Sequence, residues 1–337
     1  MKKLIIAITM ILSILLTGCG EIDYTAVDLS DSNVHIVEVP RGATTKKIAE
    51  LLKTEGLIKN SNHFKAAVKE KSYDGKLQAG TYSFTKAMDL NQIIDSLKAG
   101  KIYVETEKVV IPEGYELYRI REELLSLSWV NENKLDKALY ETTYDYKFLG
   151  DGPSEQYLEG FLFPATYNFK VGTSEENIVK IMLNKFDSVF KDEYYDRIDK
   201  LDIDINQLMT MASIVEREIM VDDERKIAAG VFYNRIDDNM KLQSCATVQY
   251  LLKERKANLS NADLKIESRY NTYKYLGLPP GPIASPGEKS ILAALYPEDS
   301  DYLFFVKSDK NDGSHVFSKT LKEHNIAKQK WKKSLKN

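Results

Sequence analysis

The chain is poor in the residues that build metal centres and cross-links. Its 337 residues include 2 cysteines, 4 histidines and 2 tryptophans. The histidines, His35, His63, His315 and His324, show no metal-ligand spacing, so neither a metal nor another cofactor is expected. A basic footprint is missing as well. Lys and Arg total 47 against 50 Asp and Glu, a net charge of −3, which argues against nucleic acid as a partner. The one basic run, Lys328, Lys330, Lys332, Lys333 and Lys336, reads as a solvated helix end, with contact to an anionic polymer or lipid as the other reading. Hydrophobic residues make up 43% and charged residues 29%, which excludes a disordered chain. At this length one large or two ordinary domains are expected, at roughly 100–200 residues each.

Long apolar runs are also absent, except at the start. Lys2 and Lys3 precede an apolar stretch from Leu4 to Leu16, followed by Leu16-Thr17-Gly18-Cys19. The stretch is short for a bilayer span, which takes roughly 17–25 residues, but it fits the apolar core of a signal peptide. Small residues before a cysteine resemble a bacterial lipobox, with Cys19 as the lipidated residue; a plain signal peptide or a short membrane anchor are the alternatives. Each implies work at the outer face of the cytoplasmic membrane. With Cys19 lipidated only Cys245 remains, so stability must come from a hydrophobic core rather than a disulfide.

Residues 1–19 therefore read as a lipoprotein-type signal, and 20–33, polar and acidic, as a flexible tether. From there the reading is α+β, with an N-terminal region at 34–152 and a mainly helical domain with a few strands at 153–337. His35–Val39 alternates as a strand. Pro40 and Gly42 turn the chain, and Thr44 or Thr45 can cap a helix carrying Ile48, Leu51 and Leu52, with Gly56 at its end. A second unit pairs the strand Gly80–Phe84 with a helix that opens on Asp89 and Gln92, spaced as a capping box, and stops before Gly100. An internal echo follows. Val39-Pro40-Arg41-Gly42 and Ile111-Pro112-Glu113-Gly114 each end a strand and open an amphipathic helix, as small repeated ligand-binding modules would; a coincidence within one domain is the other reading. The chain turns helical from about Asn206, becomes rich in Tyr, Pro and Gly over Ser268–Gly287, and closes with strands at Tyr302–Lys307 and His315–Ser318 and a last helix.

Chemistry is best sought on the helix from Asn206 to Ile219. At 100° per residue Leu208, Met211, Ala212, Val215 and Ile219 form one apolar face, with Glu216 and Glu218 on its two flanks and Arg217 on the far side. Periodicity does not choose between the carboxylates. Met211 and Ile214 lie beside Glu218, and the smaller Ala212 and Ser213 beside Glu216. A carboxyl held against apolar groups has its charged form disfavoured, as a general acid requires, which tilts toward Glu218.

Several segments occur in a fixed order. They are Leu158-Glu-Gly-Phe-Leu-Phe-Pro-Ala-Thr-Tyr167, Met211-Ala-Ser-Ile-Val-Glu-Arg-Glu218, Leu242-Gln-Ser-Cys-Ala-Thr-Val248, Tyr270-Asn-Thr-Tyr273, Gly277-Leu-Pro-Pro-Gly-Pro-Ile-Ala-Ser-Pro-Gly287, Gly313-Ser-His-Val-Phe317 and Glu323-His-Asn325. Together, over about residues 35–330, they resemble the MltG (YceG-like) family of endolytic murein transglycosylases. The resemblance implies an N-terminal region similar to LysM and a lysozyme-like catalytic domain. It implies Glu218 as the single catalytic residue, acid and then base, cutting peptidoglycan glycan strands with formation of 1,6-anhydro ends. Gln243, Asn271 and Tyr273 become candidates for positioning sugar hydroxyls and N-acetyl groups, and Tyr167 and Glu159 join them as substrate-binding candidates. Wall synthases and the division or elongation machinery are the partners to expect.

Two positions depart from the family pattern. Cys245-Ala246 stands where Asp-Pro commonly follows the Gln-Ser pair, and Ala165 where Phe-Pro-Asp-Thr-Tyr is frequent. Both remove a carboxylate near the expected cleft, which motivates a second reading: a wall-binding scaffold lipoprotein with impaired catalysis. Cys245 itself has no histidine nearby in sequence and reads as a small buried thiol rather than a nucleophile. A solute-binding lipoprotein is a third reading, suggested by the lipobox and tether alone, and the motif series argues against it.

Overall fold

The computed structural model describes residues 21–150, 152, 156–256, 258–310 and 312–335. The lipobox and Cys19 lie outside the described residues. No helix among those described is long and apolar enough to cross a membrane. The chain is mixed α and β and divides into two compact units between Glu105 and Thr106.

In the first unit β1 (His35–Val39), α1 (Thr45–Thr54), α2 (Ser61–Glu70), β2 (Gly80–Phe84) and α3 (Leu90–Ala99) follow one another. β1 and β2 pair antiparallel, with His35 opposite Phe84 and Val39 opposite Gly80. The two-residue period turns Val37, Val39, Tyr82 and Phe84 inward, where they meet Ile48, Leu52, Phe64, Val68, Ile93 and Leu97 from the helices. The caps follow local chemistry: Thr44 accepts from the Lys47 amide, Asp89 and Gln92 form a capping box, and Gly100 ends α3 in the left-handed region.

Residues 21–33 are not a free tether. The Asp23, Asp28 and Asp31 carboxylates each accept from the amide two residues on, at 2.9, 2.9 and 3.1 Å, so the polar run folds into successive Asx turns. Three backbone bonds then fix it, Leu90 N to Tyr24 O, Asp28 N to Lys86 O and Ala87 N to Asp31 O. Ile22 and Tyr24 pack on the core.

The second unit opens with the same order of elements: β3 (Thr106–Val110), α4 (Leu117–Leu125), α5 (Glu132–Tyr140), β4 (Thr166–Lys170) and α6 (Glu175–Val189). The correspondence reaches single residues. Gly80-Thr-Tyr-Ser-Phe84 matches Ala165-Thr-Tyr-Asn-Phe169, and Val39, the last residue of β1, opposite Gly80 matches Ile111 against Ala165, whose backbone atoms bond at 2.9 Å. In both copies the tyrosine ring stacks on the phenylalanine, at 5.6 and 5.4 Å between centroids, and its hydroxyl donates to the carbonyl four residues back. Asn60 and Asn131 cap the second helix of each. The Pro-x-Gly echo is thus the visible part of a repeated β-α-α-β-α frame. Because β3 pairs with β4 and α4, α5 and α6 share one core with the helices beyond, residues 106–150 belong to the second unit and not to an N-terminal region ending at 152.

Onto this frame are added α7 (Asp192–Leu201), α8 (Ile205–Glu218), α9 (Arg225–Asp237), α10 (Cys245–Leu252) and α11 (Glu288–Leu295). The hairpin β5 (Phe304–Lys307) and β6 (His315–Ser318) and the helix α12 (Leu321–Ser334) complete it. Helix therefore begins well before Asn206, since α6 and α7 occupy a stretch whose high charge masked its apolar stripe. The central helix α8 is buried on all sides over Leu208–Val215, not on one face.

Candidate active site

Helix α8 is tied along its flank to a later segment of the chain by its own side chains. Ser213 Oγ accepts from the Ile283 amide at 3.0 Å, and Asn206 Nδ2 donates to Pro280 O at 2.9 Å. The Pro/Gly-rich segment 279–287 therefore lies along the helix as a strap. At its end Glu216 Oε2 accepts from the Gly287 amide at 3.1 Å and Ser290 Oγ at 2.9 Å, and pairs with Arg225 at 3.0 Å. Arg217 does not point away to solvent. Its side chain is 4% exposed and forms an ion pair with Glu116, beyond the turn at Gly114. Two of the three charges in the Glu-Arg-Glu run are thus committed to buried pairs.

Glu218, the last residue of α8, has a different setting. No cation lies within ion-pair distance of it among the described residues. Its Oε1 accepts from Ser244 Oγ at 2.5 Å and from the Ala246 amide at 3.1 Å. Both donors come from the start of α10, where backbone amides and the helix dipole favour an anionic group. Ser244 is the N-cap residue of α10, yet its hydroxyl makes no capping bond because it is turned to Glu218. Its backbone is pinned by Thr272: Ser244 N donates to Thr272 Oγ1 at 3.0 Å, and Thr272 and Thr247 hydroxyls meet at 2.9 Å, both buried. Among the described residues no hydrogen bond forms to Glu218 Oε2. Ser244, Thr247 and Thr272 were not singled out from sequence; a Ser at an N-cap position facing a segment of chemical interest is the signal that could have found Ser244.

The other candidates fall into two groups. Cys245 and Tyr273 lie close enough to Glu218 to feel its charge, and Gln243 directly precedes Ser244, which bonds that carboxylate. Gln243 is exposed and holds φ +51°, a left-handed conformation costly for a non-glycine residue, fixed by its amide bonding Thr272 O at 3.1 Å. Cys245 is exposed, contrary to the buried thiol expected, and its Sγ lies 3.0 Å from Tyr273 Oη. Burial, then the Cys245 contact and the Glu218 charge, push the Tyr273 phenol well up, so it remains a donor.

The second group lies elsewhere. Asn271 is fully buried and spends Nδ2 on Leu264 O and Ile266 O and Oδ1 on the Tyr273 amide, which shapes the loop rather than facing a ligand. Tyr167 is in the β4 core with its hydroxyl on Phe163 O. Glu159 is 3% exposed and accepts from the Leu117 amide at 3.0 Å and Tyr250 Oη at 3.2 Å. It caps α4 from outside that helix, and burial pushes its carboxyl up to about 8, against the two donors that oppose the shift. Ala165 sits at the β3–β4 corner with its carbonyl on the Ile111 amide.

Fold and site define a mixed α/β protein that presents one unpaired carboxylate at the end of a buried helix, clamped on one oxygen by a facing helix N-terminus. A family model described as the YceG-like family matches residues 37–330, and the chain belongs to that family. An endolytic murein transglycosylase of Bacillus subtilis is 36% identical over 307 residues, covering 88% of this chain and 84% of that protein. One of Streptococcus pneumoniae is 32% identical over 324 residues, and there the match covers 88% of this chain but 58% of the relative. A crystal structure of a yceG-like protein from Listeria monocytogenes superposes with a TM-score of 0.57 at 36% identity, over 87% of this chain and 99% of that one.

Proposed function

We propose that the chain is an endolytic lytic transglycosylase that cleaves the N-acetylmuramic acid–N-acetylglucosamine bond of peptidoglycan strands, with Glu218 as acid and then base. The observation that carries this is the contrast on α8, where Glu216 is locked by Arg225 and Ser290 while Glu218, bonded through Oε1 alone among the described residues, lies near Tyr273. Glycoside hydrolases usually need two working carboxyl groups. A transglycosylase needs one. Protonated Glu218 donates its proton to the bridging oxygen as the C1–O bond breaks. The C6 hydroxyl of the same sugar then attacks C1, returns its proton to Glu218, and closes the 1,6-anhydro ring with no water consumed.

Ser244 and the Ala246 amide fix Oε1, which aims Oε2 at the substrate and supports the carboxylate once its proton has left. Gln243 and Tyr273 position sugar hydroxyls and N-acetyl groups, and Asn271 holds their loop. The first unit serves as a LysM-like binder of glycan, and Cys19 as the lipid anchor at the outer face of the cytoplasmic membrane, near the wall synthases.

Mass spectrometry of products from purified peptidoglycan tests the reading. Anhydro-muramic ends made by the protein and lost in Glu218→Gln are expected. Activity surviving in that variant but lost in a folded Glu216→Gln would move the role to Glu216. Binding to peptidoglycan without any anhydro product would favour the scaffold reading, in which Cys245 marks lost chemistry.

A further inference from the structure

The turn after β3 brings together more positive charge than it balances. Arg217 Nη1 and Arg255 Nη2 converge on one acceptor, Gly114 O, at 3.5 and 3.4 Å. Arg119 Nε lies 3.0 Å from Glu116 Oε2 and 3.0 Å from Tyr118 Oη, with its guanidinium over the Tyr115 and Tyr118 rings. Lys253 stands over the other approach to Tyr118, 5.6 Å from the ring centroid. Among the described residues one carboxylate stands in ion-pair contact with these four cations, Glu116, already shared by Arg217 and Arg119. Glu159 adds little charge near neutral pH, since burial holds it protonated up to about 8. Glu254 faces Lys256 instead, at 3.9 Å. Arg255 is exposed, has no carboxylate within ion-pair distance among the described residues, and feels Arg217 and Arg119 as like charges.

Such crowding of guanidinium groups costs energy unless an anion arrives to share it. The forked N–H array of an arginine matches a carboxylate in two parallel bonds, and the tyrosine faces beside it suit an aliphatic stem. The cluster also stands in a fixed relation to the chemistry. Helix α10 starts on Glu218, through Ser244 and Ala246, and ends at Leu252, with Lys253 as its C-cap and Arg255 two residues further on. Its eight residues span about 12 Å at 1.5 Å per residue, a distance that a peptide of four residues covers at ~3.3 Å each.

We propose that Arg255, with Arg119 and Lys253, forms a second binding site on the second unit that takes a carboxylate of the peptide stem carried by the glycan strand. This rests on the glycan-cleaving reading. The site lets the enzyme favour strands that still bear their peptides, and it gives the Pro-Glu-Gly turn its purpose, since Gly114 O and Glu116 array the arginines.

The test compares kcat/KM of the full chain on uncrosslinked strands with and without their stems, the latter stripped by an amidase and keeping only the lactyl carboxylate. Wild type should favour the stem-bearing strands. In Arg255→Gln that preference should fall about tenfold, through KM, with partial recovery in Arg255→Lys. A preference that survives in Arg255→Gln, or a wild type indifferent to stems, overturns the site while leaving the glycan-cleaving reading intact. If wild type cleaves neither substrate, that reading fails. The site then stands or falls on fluorescence anisotropy of a labelled stem peptide, which must bind the full chain and lose affinity in Arg255→Gln.

Discussion

The two β-α-α-β-α frames share strand register, caps and a Tyr-Phe stack, yet they differ where the first helix begins. In the first unit Thr44 caps α1 with its own hydroxyl on the Lys47 amide. In the second unit the equivalent residue is Glu116, which makes no cap at all. Its carboxylate is drawn to Arg217 and Arg119, and Glu159 supplies the missing acceptor for α4 from another part of the chain. A local solution has been traded for a long-range one that ties the frame to the helix bearing Glu218. The frame is the same in both units, and in the second the capping position holds a neighbouring helix instead.

The largest effect should come from breaking that tie. Glu116→Ala leaves Arg217 buried without its partner and is expected to cost about 3–5 kcal/mol. Thr44→Ala in the first unit should cost about 1 kcal/mol. Both tryptophans, Trp129 and Trp331, lie in the second unit, so urea unfolding followed by their emission reports that unit. Equal losses in the two variants, with circular dichroism following the first unit, would show that the long-range pair is no stronger than a cap.

The substitute cap carries a pH dependence that the hydroxyl cap lacks. Glu159 titrates at about 8 in the fold against an ordinary 4.5. Between those values the folded state binds a proton that the unfolded chain has lost, so stability falls as pH rises from about 4.5 to 8 and levels off above, by an amount on the order of a few kcal/mol. Glu159→Gln keeps an acceptor for the Leu117 amide, turns an N–H donor to Tyr250 Oη as the protonated acid turns its O–H, and removes the titration. The variant should match the wild type near pH 5 and exceed it at pH 8.5. Parallel stability curves for the two proteins across this range would contradict the assignment.

The turns sharpen the comparison at smaller cost. Gly42 and Gly114 both sit in the left-handed region, at φ +72° and +75°. Alanine at Gly42 meets no atom within 4 Å and should cost about 1–2 kcal/mol for backbone strain alone. At Gly114 the added carbon would lie 3.3 Å from Arg217 Cδ and 3.6 Å from Glu216 Cγ, which adds about 1 kcal/mol or more and should also slow catalysis by shifting the end of α8. Equal cost at both glycines, with turnover unaffected by Gly114→Ala, would mean the turn does not brace that helix.

These contrasts also mark how far sequence reasoning reaches. Strand alternation, the Asp89 capping box and the ordered motif series were legible because each is a local pattern. Glu218 emerged from local reasoning only as a slight preference over Glu216. What separates the two carboxylates is Arg225 and Ser290 on one side and the start of α10 on the other, and none of these follows from helical period. Helical period puts Arg217 on the outer side of α8 and cannot reveal a partner 101 positions earlier. Glu159 and Asn271 carry polar groups that suit a sugar, but the fold had already spent them on amides and carbonyls. The polar run at 20–33 reads as a tether because it has no apolar period, yet over 21–33 Asp-x-Ser/Thr/Asn turns order it.

The smallest expected difference is the most direct probe of the shared frame. Tyr82→Phe and Tyr167→Phe each delete one hydroxyl that donates to a carbonyl four residues back, Gln78 O at 2.8 Å and Phe163 O at 2.5 Å. Both rings are buried and stacked on the phenylalanine of the same strand, so truncation leaves the packing in place and removes the hydroxyl's bond, which in Tyr82 is shared with Leu97 O at 3.5 Å. A loss of about 1 kcal/mol is expected in each unit, by circular dichroism for the first and tryptophan emission for the second. Matching losses would mean that the corner works alike in both copies, whatever the neighbouring cap has become. A loss confined to Tyr167→Phe would place the second copy's reorganisation at the strand as well as at Glu116, and would extend the tie to α8 through the whole frame.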